Sequence, residues 1–226
     1  IHYFTTANSS RGFVSFFADN FGRLANLIYL DRCPDDFTQP LFHEILHRAE
    51  ELEMSVEVIH SCLDNSIEGV ILPESSTGII NFSPYDGNSY SALSFLGDEN
   101  LSQMQSALKD AYSKFAEALR IHDGWEKIYI EHMNFEAENQ LTEQTIEKLI
   151  GSQSLEKSGK ECHRYFGAAT VDGSFDYIPN LTEKIEKRYF LKGRPGTGKS
   201  TFLKKVGKAA LEKGFDVEFY HCAFDP

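Results

Sequence analysis

At 226 residues, with 41% hydrophobic and 25% charged side chains, the chain has the makeup of one or two globular domains. A formal charge of −12 and a pI near 5.1 argue against broad nucleic-acid binding, because phosphate backbones call for clustered Lys and Arg. No apolar run reaches membrane-spanning length and no secretory leader is visible. The cysteines (Cys33, Cys62, Cys162, Cys222) are scattered without a C-x-x-C pair, which predicts reduced thiols in a cytoplasmic protein. The chain starts at Ile1 rather than Met, so its native N-terminus is expected upstream.

Residues 2–7 and 12–18 are β-leaning and rich in Phe and Tyr. Leu27-Ile28-Tyr29-Leu30 predicts a short buried strand, and a polar loop covers 31–39. Residues 41–52 predict an amphipathic helix with Leu41, Ile45, Ala49 and Leu52 on one face. Ser55-Val56-Glu57-Val58-Ile59 alternates as a strand, and 69–72 and 78–80 predict two more. Strand–helix–strand order implies a parallel α/β sheet.

The helix carries His43-Glu44-Ile45-Leu46-His47, an H-E-x-x-H pattern. Two histidines one turn apart could hold zinc while Glu44 activates a bound water. No H-x-x-G-x-x-H extension follows, and the conceivable third ligands are His60, Asp64, Glu68 and Glu74. Solvent-facing side chains are the simpler reading.

A helical stretch follows. Met104, Leu108, Ala111, Phe115, Ala118, Trp125 and Ile128 keep near-heptad spacing up to His122, which is expected to break the stripe. Residues 135–150 predict a second helix, with Leu141-Thr142-Glu143-Gln144 resembling a cap. The pair is read as antiparallel, either covering the core or projecting as an arm that could meet a protein partner or a second copy. Residues 151–160 form a polar Ser/Gly/Lys linker.

The strongest pattern comes last. Gly193-Arg194-Pro195-Gly196-Thr197-Gly198-Lys199-Ser200-Thr201 reads as G-x-x-x-x-G-K-S. Arg188-Tyr189-Phe190-Leu191 predicts a strand before it, and 201–211 a helix after it. Glycines let backbone N–H groups turn toward phosphate, and the helix N-terminus adds partial positive charge. Lys199 would reach the β- and γ-phosphates as the catalytic cation, and Ser200 would ligate Mg²⁺.

The layout recurs. A shift of 161 residues, the spacing from His2 to His163, aligns 2–65 with 163–226 without a gap. It pairs Leu30 with Leu191, Pro34 with Pro195, Val56 with Val217, Glu57 with Glu218 and His60 with His221, among 11 identities in 64 positions. An internal duplication is the expected cause. In the first copy Thr38 stands where Lys199 is, and Gln39 where Ser200 is. Arg32, Asp35 and Phe37 replace Gly193, Gly196 and Gly198. Asp35 and Asp36 would set carboxylates where phosphate oxygens belong, so the first copy is expected to keep the fold and lose the site. Cys62 and Cys222, near His60 and His221, are read as packing groups. Asp225 is read as either a turn former or a site carboxylate.

The runs His163-Arg164-Tyr165-Phe166-Gly167-Ala168-Ala169-Thr170, Ile178-Pro179-Asn180-Leu181-Thr182, 189–201 and Tyr220-His221-Cys222 resemble the uncharacterised tandem P-loop ATPases of spore-forming and related bacteria. So do 115–119 with His122-Asp123, and 64–74. The resemblance implies two P-loop halves, ATP with Mg²⁺ as ligands, and a longer protein. Two departures stand out: the first P-loop is lost, and Asn81 ends the strand over 78–80 where relatives carry an acidic residue.

The expectation is thus a P-loop NTPase-like parallel α/β fold, duplicated. A degenerate copy spans 1–97, a helical insertion 98–151, and a second copy 152–226. Nucleoside triphosphate, ATP above GTP because no N-K-x-D motif appears, is expected to bind residues 193–201. The segment matching 65–151 is absent after the second copy, so binding without turnover is expected. The alternatives are a small-molecule or nucleotide kinase and, below it, a zinc peptidase through His43, Glu44 and His47. No membrane and no nucleic-acid partner are expected.

Overall fold

A computed structural model describes residues 1–30, 33–81 and 98–223. The N-terminal aromatic run is two strands, not one. β1 (His2–Phe4) and β2 (Thr6–Ser9) are separated by Thr5, whose carbonyl accepts from Phe16 N–H at 2.7 Å. Gly12, at φ +89°, turns the chain back into β3 (Gly12–Ser15), and the short helix α1 (Phe17–Phe21) follows.

β4 (Asn26–Tyr29) is not the buried strand expected over 27–30. Ile28 and Tyr29 are exposed, because among the described residues β4 is an edge strand paired with β7 (Thr77–Ile80) alone. α2 (Asp35–Glu51) starts six residues earlier than the apolar pattern from Leu41 suggested. Asp35 and Asp36 favour that start by placing negative charge in the first turn. Pro40 then falls inside the helix, where it removes one backbone donor. β5 (Glu57–His60) and β6 (Ile67–Leu72) complete the first half, close to the strands read from sequence.

α3 (Asp98–Ile130) is a single helix of 33 residues, and His122 does not break it. A heptad stripe drifts around a 3.6-residue helix, so the loss of register at His122 marks a turned face rather than a helix end. α4 (Phe135–Leu149) is capped by Asn134, whose side chain accepts from Ala137 N–H at 3.0 Å. Thr142, expected near a cap, lies buried mid-helix and donates to the Glu138 carbonyl at 2.8 Å.

β8 (Glu161–Tyr165), β9 (Gly167–Thr170), β10 (Gly173–Asp176), α5 (Ile178–Thr182), α6 (Lys199–Glu212) and β11 (Val217–His221) finish the chain. The strand expected over 188–191 does not form. Tyr189, Phe190 and Leu191 are exposed, and no strand lies beside them among the described residues to accept their backbone bonds.

The fold is α/β, with a sheet ordered β11-β8-β1-β5-β6-β7-β4. It is mixed rather than parallel. β1/β5 and β4/β7 pair in parallel, while β5/β6, β6/β7 and β1/β8 pair antiparallel. The tight 73–76 connection explains part of this, since it can only join antiparallel neighbours.

Two compact units divide the chain. The first comprises residues 1–116, 163–184 and 220–226, and the second comprises 117–162 and 185–219. In the first, Tyr3, Phe21, Ile59, Ile71 and Ile80 form one core cluster. Phe42 of α2 packs on Val58, Ile67 and Val70 on the sheet. In the second, α4 packs against α6, and Gly207 leaves room for the Phe219 ring where a Cβ would collide.

Contacts inside the first unit are reciprocal at the 161-residue spacing. Phe4 pairs with Tyr165 at the β1/β8 contact. Asp19 accepts from His163 N–H at 3.2 Å, and Asn180 accepts from His2 N–H at 2.8 Å. Phe16 stacks on Tyr165, 4.9 Å between rings, and its counterpart Tyr177 lies 5.6 Å from Phe4. Exchange of i·j for j·i is the pattern of a two-fold interface. The small hairpins match as well: Ser9 Oγ and Thr170 Oγ1 donate to the Gly12 and Gly173 carbonyls at 2.9 and 3.0 Å.

Candidate functional site

Residues 193–201 run as an irregular loop into the first turn of α6. Two glycines shape it. Gly196 and Gly198 hold φ of +73° and +75°, values that L side chains rarely adopt. Gly193 is constrained differently: a Cβ there would lie 2.5 Å from Thr197 Oγ1. All three glycines of the motif therefore answer a local steric demand.

The polar groups converge on one carbonyl. Lys199 Nζ donates to Arg194 O at 2.7 Å, and Thr197 Oγ1 donates to the same oxygen at 2.7 Å. This ties the lysine across the loop mouth and fixes its curvature. Ser200 is exposed in the first helical turn. Unsatisfied N–H groups of that turn, backed by the helix dipole, are suited to an anion.

The second unit supplies neighbours that the motif did not announce. Gly196 N–H donates to Glu126 Oε1 of α3 at 3.1 Å, and Arg194 reaches Tyr129 Oη at 3.4 Å. Along α6, Lys205 pairs with Glu138 of α4 at 2.7 Å, which holds that carboxyl below its ordinary value. The sequence signal for Glu126 was thin, one acid in a helix rich in acids.

The start of α2 occupies the matching place in the first half and is built from other chemistry. Thr38, at the offset of Lys199, is fully buried. Gln39, at the offset of Ser200, donates to Ile67 O at 2.8 Å and accepts from Ile67 N–H at 3.0 Å, which ties the helix to β6. Burial and the charge of Asp64 raise the Asp35 carboxyl, and the same two causes push Glu68 up to about 7. A crowd of carboxylates repels phosphate. Arg32 and Asp225 lie outside the described residues.

His43, Glu44 and His47 all lie on the exposed face of α2. Glu44 is engaged by Arg48 at 3.0 Å, and His47 lies 3.5 Å from Glu51. Among the described residues, the group of His, Cys, Asp or Glu close enough to share a cation is His122, Asp123 and Glu126 on α3.

Two histidine pairs also went unread as pairs. His2 Nδ1 lies 2.9 Å from His60 Nε2, and His163 Nδ1 lies 2.7 Å from His221 Nε2. In each, one ring donates and the other accepts. Tyr177 stacks on His60 at 4.6 Å, and Phe16 lies 5.2 Å from His221. Burial, then the nearby His60 charge, lowers His2 to about 4, and burial lowers His60. The 161-residue spacing of these four histidines was the available signal.

No family model, curated protein or solved structure matches the chain. No helix among the described residues is long and apolar enough to cross a membrane.

Proposed function

We propose that residues 193–201 bind the phosphates of a nucleoside triphosphate, ATP in the first instance, as one site of a tandem P-loop ATPase. The observation that carries this reading is the loop itself. Two glycines in the left-handed region and a lysine held across the loop mouth lead directly into the N-terminus of α6. The residues fit the ligand: backbone N–H groups and Lys199 for phosphate oxygens, and the exposed Ser200 hydroxyl for Mg²⁺. Bound Mg²⁺ would neutralise phosphate charge; the chain's own part is to cradle and orient the anion.

The rest of the chain fits a duplicated unit of this kind. The reciprocal contacts at a constant spacing support a duplication whose first copy has exchanged phosphate binding for a structural helix start. Calorimetric titration with Mg·ATP tests the reading. Saturable binding that is lost in Lys199→Ala is expected, and retention of binding in that variant would refute it.

A further inference from the structure

We infer that Glu126 is an internal ligand of the phosphate loop: its carboxylate occupies a loop amide until an incoming phosphate displaces it. This rests on the phosphate-binding reading of residues 193–201. A loop built to offer N–H groups to an anion leaves those donors costly when nothing accepts from them. Glu126 Oε1 accepts from Gly196 N–H at 3.1 Å, and so places an anion where the motif directs one. The approach is close along the backbone as well, since a Cβ at Gly196 would lie 2.5 Å from the Glu126 carbonyl oxygen.

Neighbouring contacts keep α3 there. Tyr129, three residues on and on the same helical face, meets Arg194 at 3.4 Å. The other end of the helical pair is held independently of Glu126, through Lys205 with Glu138 at 2.7 Å and with Asn139 Oδ1 at 2.5 Å. Glu126 can release the loop without loss of the α4/α6 packing.

A carboxylate and a phosphate repel at this range, so both cannot hold the same amide. Phosphate entry must expel Glu126. The affinity of the resting protein is reduced by that competition, and any event that draws the end of α3 from the loop raises it. The insertion thus sets the affinity of the loop it touches.

The test uses the 226-residue chain and titrates Mg·ATP and, separately, tripolyphosphate into wild type, Glu126→Ala and Glu126→Gln. Removal of a charge-assisted competitor should tighten both ligands by about tenfold in Glu126→Ala, with Glu126→Gln between it and wild type. Amide hydrogen exchange at Gly196 should quicken in Glu126→Ala without ligand, which reads the contact even if ligand binding shifts for other reasons. Unchanged or weaker binding in Glu126→Ala, with wild-type binding still sensitive to Lys199→Ala, overturns this inference alone; weaker binding would mean that Glu126 assists the bound cation. Absence of binding in every variant overturns the phosphate-loop reading and this inference with it.

Discussion

α2 and α6 end 161 residues apart, at Glu51 and Glu212, but their first turns answer the same question in opposite ways. Both helices end alike. Met54 N–H donates to Ala49 O at 2.9 Å and Phe215 N–H to Ala210 O at 3.0 Å, with Glu53 and Gly214 both at positive φ. They differ at the first turn. α6 opens on glycines, Lys199 and an exposed Ser200; α2 opens on Asp35 and Asp36, with Thr38 buried and Gln39 bound to β6. The same positions can therefore open a helix on an exposed polar turn or anchor it to a neighbouring strand. Fold alone does not tell which.

A second contrast sits beneath it. Tyr3 and Arg164 occupy equivalent positions. Arg164 is buried, bridges to Glu57 at 2.9 Å and lies 4.2 Å over the Tyr3 ring. Replacing Arg164 by Met leaves Glu57 uncompensated and should cost about 3 kcal/mol in denaturant unfolding, the largest effect we predict. Tyr3→Phe, which keeps the ring under the guanidinium, should cost about 1 kcal/mol through its bond to Glu57. Equal costs would break the asymmetry between the halves.

The helix starts are probed next. Gln39→Ala should destabilise by about 2 kcal/mol, because two backbone groups of Ile67 lose their partner. Ser200→Ala should leave the melting temperature within about 1 °C, and should instead weaken the Mg²⁺-dependent part of nucleotide binding. A large stability loss in Ser200→Ala would erase the contrast.

Charge gives smaller, pH-dependent effects. Glu68 has its carboxyl raised to about 7 by burial and Asp64, so the folded state binds the proton more tightly than the unfolded chain. Its contribution is present at low pH and is lost as pH rises from the unfolded value through about 7. Glu68→Gln should therefore raise the melting temperature by about 5 °C at pH 8 and by nothing near pH 4. His2 has the opposite sign. Its pKa is lowered to about 4, so the folded state resists a proton that the unfolded chain accepts. Stability should fall as pH drops from about 6.5 to about 4, by a few degrees in melting temperature, and His2→Gln should flatten that slope.

Much of this was legible in the sequence. The helix after residue 198, the strands read at 55–59, 69–72 and 78–80, and the helix read at 135–150 carry local signals, and the structure forms them at 199–212, 57–60, 67–72, 77–80 and 135–149. What failed depended on partners. Residues 188–191 have strand-like side chains, yet a strand exists only where a neighbour accepts its bonds. Ile28 and Tyr29 have a core composition but lie on an edge. The contact of Glu126 with Gly196 joins residues 70 apart and leaves no trace in either local pattern.

The central claim is that the loop at 193–201 holds phosphate through Lys199. Isothermal titration of Mg·ATP into the wild-type chain and into Lys199→Ala tests it most directly. We predict saturable binding to the wild type and a loss of about 100-fold in the variant, since a charge-assisted contact to phosphate is removed. Equal affinity in the two proteins, or no binding by the wild type, would contradict the account.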